Sequence, residues 1–219
     1  MLEGTKVKPI DSVVVRFSGD SGDGMQLAGN IFSNVSAGEG NEISTFPDYP
    51  AEIRAPQGSL SGVSGFQVHI GVGVHTPGDK ADVLVAMNPA ALKTNLQFLK
   101  SDGIIICDTD TFRDADLKKA EYSTDDPIAE LGIDRTRVLG VSMTSLVKET
   151  LKDSGMAPQA VLKCKNMFAL GLICWLFDKP VESVLRKLQT KFAKKPAVYE
   201  ANAKVVQAGW DCGHNTHSS

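Results

Sequence analysis

Ser12–Gln26, SVVVRFSGDSGDGMQ, is the stretch whose reading decides the fold. The β-branched run Ser12–Phe17 has the composition of a strand. Gly19, Gly22 and Gly24 then make a turn, after which Leu27, Ala28, Ile31, Phe32 and Val35 recur at helical spacing until Gly38. Glycines permit positive φ and let backbone N–H groups approach an anion at a helix N-terminus, where the dipole favours negative charge. The spacing is G-x-x-G-x-G, not the G-x-G-x-x-G of a dinucleotide site, and Met25-Gln26 stands where a P-loop needs Lys-Ser/Thr. Asp20 and Asp23 complicate anion binding, because a carboxylate facing a phosphate repels it. The conflict is relieved if Asp23 is the N-cap and Gln26 lies at N3, a capping-box arrangement. A tight strand-to-helix connection without a ligand satisfies the same spacing, and both readings stay open here. Gly22-Asp23-Gly24 also begins like a thiamine-diphosphate motif, but Tyr49–Glu52 occupies the stretch where that motif needs its magnesium-binding asparagine.

Outward from this unit the chain alternates strand and helix patterns. Asn41–Phe46, Phe66–Ile70, Asp82–Met87, Ile104–Cys107 and Arg137–Val141 read as strands, with Val72–His75 a candidate to pair back on Phe66–Ile70. Helices are expected over Ala90–Leu99 behind Pro89, over Asp114–Glu121, and over Thr144–Leu151, Val161–Phe177, Val181–Phe192 and Pro196–Gln207. The pattern predicts an α/β domain of three layers, αβα, with a mainly parallel or mixed sheet and a C-terminal helical layer. Residues 1–208 form that domain, and the polar Gly209–Ser219 reads as a linker or cut end.

The length of 219 residues suits one domain, and 42% hydrophobic with 22% charged residues is ordinary for a soluble globular chain. A net charge of −3 offers no footprint for nucleic acid, and no apolar run is long enough to span a bilayer. The N-terminal MLEGTKVKPIDS lacks the apolar core of a secretory signal. Cys107, Cys164, Cys174 and Cys212 are widely separated, lack CxxC spacing, and suit buried small hydrophobes in a cytoplasmic protein. Iron–sulfur cysteine runs are absent, so any redox centre belongs to another chain.

Among single residues, Arg54 lies in the aperiodic loop Phe46–Gly58, where a guanidinium can clamp a phosphate or carboxylate, or pair with Glu52 on the surface. Asn88 follows a buried strand at the edge where α/β sheets bind ligands, yet a cap for the Pro89 helix explains it better. Asn166, inside an apolar helix, needs a hydrogen-bond partner if buried, and a structural bond to a neighbouring loop explains it better than ligand contact. Lys191, Lys194 and Lys195 read as a solvated helix end. Cys212, His214 and His217 are too weakly organised for a metal assignment.

The segments FSGDSGDGMQLAGNIF, TFPDYPAEIRAPQGSLSGVSGFQVHI, TPGDKADVLVAMNPAALKTNL, CKNMFALGLICWLF and KFAKKP together resemble the N-terminal γ-type domain of 2-oxoglutarate:ferredoxin oxidoreductase α subunits. The resemblance runs in order from about Val13 to Gly209 and implies the fold of the γ unit, also called domain III, of pyruvate:ferredoxin oxidoreductases. It implies a coenzyme-A-binding domain of a thiamine-dependent complex that converts 2-oxoglutarate and coenzyme A to succinyl-CoA and carbon dioxide while reducing ferredoxin. Thiamine diphosphate, magnesium and a 4Fe–4S cluster are then expected on partner domains only. The implied partners are a β subunit carrying thiamine diphosphate and the cluster, a pyrimidine-binding α domain, and ferredoxin, in a hetero-oligomer. Carried onto this chain, the coenzyme-binding candidates are Gly19, Asp20, Ser21, Gly22, Asp23, Gly24, Gln26, Arg54 and Asn88. Pro50, Glu52 and Asn166 are candidates for facing the active site or supporting the loop, and no catalytic or metal-binding residue is expected. Alternatives are the same type of complex acting on pyruvate or branched-chain 2-oxoacids, or a non-catalytic nucleotide-binding or scaffold module. The tail Trp210–His217 departs from the family pattern.

Overall fold

The strand that precedes the glycine turn lies at the centre of the sheet in a computed structural model of the chain. The structure describes residues 11–20, 24–38, 40–52, 55–76 and 78–216. The strands are β1 (Ser12–Asp20), β2 (Glu42–Asp48), β3 (Val63–Gly71), β4 (Ala81–Ala86), β5 (Leu99–Asp108) and β6 (Val138–Val141). The helices are α1 (Met25–Ala37), α2 (Pro89–Asn95), α3 (Asp114–Lys119), α4 (Pro127–Glu130), α5 (Met143–Thr150), α6 (Pro158–Leu162), α7 (Lys165–Leu176), α8 (Val181–Lys191) and α9 (Pro196–Thr216).

The sheet order is β2-β3-β1-β4-β5-β6. Strands β1, β4, β5 and β6 pair in parallel, while β3 runs antiparallel to both β1 and β2. Period-two alternation sends Val15 and Phe17 of β1 into one core and Val14 into another. The first core includes residues of α1, α5, α6, α7, α8 and α9. The opposite face is covered by α2 with partly buried residues of α4, and α3 packs beside them through Leu117. Both faces of β1 are therefore covered, which is why its sequence is nearly continuous in β-branched residues. The expected three-layer αβα architecture with a mixed sheet is what forms.

Several boundaries differ from the sequence reading. Val72–His75 makes no strand, because β3 already has β1 on one side and β2 on the other; Val72 is instead 85% exposed. The apolar stretch Val161–Phe177 divides into α6 and α7. Helix α9 runs on to Thr216, so residues 209–216 are helical where their polar composition suggested an aperiodic stretch. Residues 217–219, His217 among them, lie outside the described residues.

The reason for that extension is close packing of α9 on α7. A Cβ on Gly171 of α7 would fall 2.0 Å from the Val206 carbonyl oxygen, and one on Gly209 would fall 2.1 Å from that of Phe168. Gly213 repeats the arrangement one turn later, against the ring of Trp175. These glycines let the two backbones approach, and sequence periodicity does not report such a requirement.

A charged residue occupies the middle of β1. Arg16 is only 3% exposed, and its guanidinium reaches three elements. Nε donates to Asn95 Oδ1 at 2.6 Å, Nη1 to Gln67 Oε1 at 3.3 Å, and Nη2 pairs with Asp48 at the end of β2. The group also lies 4.3 Å over the Phe98 ring. Burial lowers its pKa and Asp48 opposes that shift, so the guanidinium stays charged at neutral pH.

Gly171→Ala and Gly209→Ala each force the α7 and α9 backbones apart. Each is expected to cost about 2–3 kcal/mol and lower Tm by about 4–10 °C, read by thermal and urea unfolding.

Candidate functional site

Parallel strands place their carboxyl ends, and the loops that follow, along one edge of a sheet, which is where α/β domains bind ligands. Here that edge carries Asp20 at the end of β1, Asn88 just beyond β4 and Asp108 at the end of β5. The Met87 N–H donates to the Ser18 carbonyl at 2.9 Å, fixing the exit of β4 against β1.

Helix α1 begins at this edge. Its N-cap is Gly24, with φ at 82°, and among the described residues no side chain caps the helix. The capping box expected from Asp23 and Gln26 is thus not the arrangement: the cap is Gly24, and Gln26 is exposed at the helix's second position. A left-handed φ suits a residue without Cβ, which is why glycine stands here. Gly24 accepts from the N–H groups of Leu27 and Ala28 at 3.0 and 3.2 Å. Ser21, Gly22, Asp23 and Arg54, four of the residues singled out from sequence, lie outside the described residues.

The N-terminus of α7 meets α1 at this point. A Cβ on Gly24 would lie 3.6 Å from Asn166 Nδ2, in the first turn of α7. Asn166 is 2% exposed, and its Oδ1 is buried without a hydrogen-bond partner. The N-cap of α7, Cys164, gives no side-chain cap either. Two helix N-termini without side-chain caps therefore converge on Gly24 and Asn166. The N–H groups and aligned dipoles of helix starts make such a place receptive to negative charge or to carbonyl oxygens.

Beside Asn166, the Lys165 ammonium pairs with Asp108 Oδ2 at 3.1 Å. Asp108 is fully buried and also accepts from the Thr144 hydroxyl at 2.6 Å and from the backbone N–H groups of Thr144 and Asp110. Asp110 accepts from the Ser145 N–H at 2.7 Å. Helix α5 thus has its N-terminus served by two carboxylates, and the Lys165 charge is matched by one of them. Sequence reasoning passed over Lys165, Asp108 and Thr144. An aspartate ending an apolar strand was the available signal, but its partners are distant in the chain.

The remaining candidates divide by what their groups already do. Gly19 is buried within β1 opposite Ser64, so it belongs to the strand rather than to the turn. Asp20 Oδ1 accepts from the Gly58 N–H at 3.0 Å, which ties the long loop to the end of β1. That role removes the objection to an aspartate here, since its carboxylate is turned to the loop. Asn88 Oδ1 accepts from Ala91 N–H at 2.8 Å and caps α2, as its place before Pro89 indicated. In the loop, the Glu52 N–H donates to the Ser61 carbonyl at 3.1 Å, its side chain is exposed, and Pro50 is half-buried. Lys191, Lys194 and Lys195 are exposed. The structure brings Gly24 and Asn166 together at the sheet edge and commits Asn88 to a cap.

Comparison with known proteins follows the same outline. A model of the pyruvate ferredoxin/flavodoxin oxidoreductase family matches residues 14–212. The chain is 43% identical over 210 residues to 2-oxoglutarate oxidoreductase subunit KorA of Mycobacterium tuberculosis, an alignment covering 95% of this chain and 32% of that protein. It therefore spans about a third of that relative's length. It is 30% identical over 110 residues to the pyruvate/ketoisovalerate oxidoreductases common subunit gamma of Pyrococcus abyssi, covering 49% of this chain and 57% of the relative. Among solved structures, 2-oxoglutarate:ferredoxin oxidoreductase from Magnetococcus marinus, with 2-oxoglutarate, coenzyme A and succinyl-CoA bound, superimposes with a TM-score of 0.71 at 23% identity, over 96% of this chain and 32% of that one. The gamma subunit of keto/oxoacid ferredoxin oxidoreductase from Geobacter sulfurreducens gives 0.64 at 20% identity, over 93% and 99%. At these identities the structural likeness is one of fold.

Removing the Lys165 ammonium leaves Asp108 buried without its counter-charge. Lys165→Met is expected to cost about 3–5 kcal/mol in urea unfolding, with partial recovery when Asp108→Asn is added. Burial, with Asp108 next to it, raises the Cys107 thiol from 9.0 to about 11. Its neutral form is the one the fold favours, so the associated stability is complete below about pH 9 and is lost as pH rises through about 11. Iodoacetamide at pH 8 is expected to label half-buried Cys212 first and to spare Cys107 until the protein is unfolded.

Proposed function

The chain belongs to the pyruvate ferredoxin/flavodoxin oxidoreductase family, and we propose that it is the coenzyme-A-handling γ-type domain of a 2-oxoacid:ferredoxin oxidoreductase. The 43% identity to KorA favours 2-oxoglutarate as the oxoacid. The observation that carries the reading is the meeting of the α1 and α7 N-termini at Gly24 and Asn166, on the carboxyl edge of the parallel strands.

Coenzyme A supplies the thiol that accepts the acyl group, releasing it as succinyl-CoA after carbon dioxide has left and the electron pair has passed to ferredoxin. This chain's part is to bind and orient. The two helix starts, whose N-cap residues Gly24 and Cys164 give no side-chain cap, offer N–H donors, and Gly24 takes a left-handed backbone that a side chain would strain. Asp20 holds the loop after β2 through Gly58, and Arg16 holds the loop's root through Asp48. The thiamine diphosphate with its magnesium, the 4Fe–4S cluster, the pyrimidine-binding domain and the β subunit are assigned to other parts of a hetero-oligomeric complex. Among the described residues no helix is long and apolar enough to cross a membrane.

Calorimetry on the full chain with coenzyme A and with ATP tests the assignment. Tighter binding of coenzyme A is the expected result, and equal affinity for ATP favours a general nucleotide-binding module and overturns it. The chain alone is expected to show no 2-oxoacid-dependent reduction of a dye; reduction without added subunits contradicts the proposed division of labour.

A further inference from the structure

The acceptor at the centre of this edge has no donor. Asn166 Oδ1 is buried, its residue is 2% exposed, and among the described residues nothing hydrogen-bonds to it. A buried carbonyl oxygen left in this state costs free energy comparable to its lost hydrogen bonds, and native proteins rarely leave one so. Described polar groups along this edge already have partners. Thr144 donates its hydroxyl and its N–H to Asp108, Lys165 pairs with the same carboxylate, and Asn88 accepts from Ala91.

The chemistry of the missing group follows from what an acceptor requires. Ionised phosphate presents oxygen acceptors only, so a phosphate beside Oδ1 leaves both groups unsatisfied and brings lone pairs together. The surrounding charge points the same way. Asp20, Asp108 and Asp110 lie along this edge, and the Lys165 charge is cancelled by Asp108. An amide has the complementary pair: its N–H suits Asn166 Oδ1, and its carbonyl oxygen suits the uncapped N–H groups of the helix starts.

Coenzyme A is amide-bearing in its pantetheine arm and anionic at its nucleotide end. We infer that Asn166 Oδ1 accepts a hydrogen bond from a pantetheine amide N–H, so that the Gly24–Asn166 corner holds the arm and the phosphates lie elsewhere. The inference rests on the coenzyme A reading above and narrows it. Asn166 is then a ligand-binding residue whose unmet acceptor in the free protein is held for the ligand. Leucine in its place removes that acceptor at similar volume, so the free protein keeps or gains stability while the ligand loses a partner.

Calorimetry on the full chain compares wild type with Asn166→Leu, using coenzyme A and adenosine 3′,5′-bisphosphate, alongside thermal unfolding of the free proteins. The expected result is a loss of about five- to tenfold in affinity for coenzyme A, unchanged affinity for the bisphosphate, and a Tm equal to or above wild type. An equal loss for both ligands places Asn166 at the nucleotide end and overturns the inference while leaving the coenzyme A assignment standing. Unchanged coenzyme A affinity, or a fall in Tm accompanying the loss, overturns it in the same way. Failure of wild type to bind coenzyme A overturns both. Proton NMR of coenzyme A bound to wild type reads the bond without any variant. One pantetheine amide proton is expected to exchange with water at least about tenfold more slowly than in free ligand, and unslowed exchange of every such proton rejects the assignment.

Discussion

The buried guanidinium of Arg16 is the constraint around which the rest of the sheet is arranged. It sits at 3% exposure in the strand that carries the antiparallel half of the sheet on one side and the parallel half on the other. A charge in that position is tolerated only with partners on every side. Asp48 ends β2, Gln67 lies in β3, and Asn95 closes α2, so the ion's needs fix three elements relative to β1. Asn95 passes the connection on, donating to Ser18 Oγ at 2.6 Å and to the Ala91 carbonyl at 3.0 Å. Gly65 is part of the same requirement: a Cβ there would come within 3.3 Å of Arg16 Nη2.

From this centre the functional edge follows by geometry. β1 leads into α1, and its register with β4 and β5 brings Asn88 and Asp108 to the same margin. The three helices that begin near it are handled differently. Helix α5 receives the carboxylates of Asp108 and Asp110, whereas α1 and α7 have no side-chain cap. Helix starts without caps cost stability unless something else occupies their N–H groups. They meet beside a buried acceptor, Asn166 Oδ1, that has no donor among the described residues.

The layer that holds α7 in place is built on contact between backbones. Gly171, Gly209 and Gly213 allow α9 to lie so near α7 that larger residues would collide with carbonyl oxygens or with Trp175. Since α7 carries Lys165 and Asn166 at its first turn, the position of the candidate site depends on a seam that runs away from it toward the C-terminal helix.

Local pattern sufficed for the elements whose signal lies within a few residues. The β-branched run of β1, the helix from Met25 to the stop at Gly38, Pro89 opening α2 with Asn88 as its cap, and the buried character of Cys107, Cys164 and Cys174 were all legible, because each rests on periodicity or on a neighbour. Where the outcome depended on residues far apart in the chain, pattern was silent or misleading. Val72–His75 has strand composition, but β3 had no free edge for it. The last turns of α9 look like a polar tail until Gly209 and Gly213 are set against Phe168 and Trp175. Asp23 and Gln26 fit a capping box on paper, yet the helix starts one residue later, behind a left-handed Gly24. Arg16 with Asp48, Lys165 with Asp108, and Gly24 with Asn166 are pairs that only the folded chain brings together, since charge matching, burial and an unmet acceptor are properties of three-dimensional neighbours. The sequence by itself determined an α/β domain with a glycine turn at its first helix; the tertiary structure decided which polar groups near the start of that helix have partners among the described residues and which buried acceptor, Asn166 Oδ1, does not, because such pairing joins residues far apart in the chain.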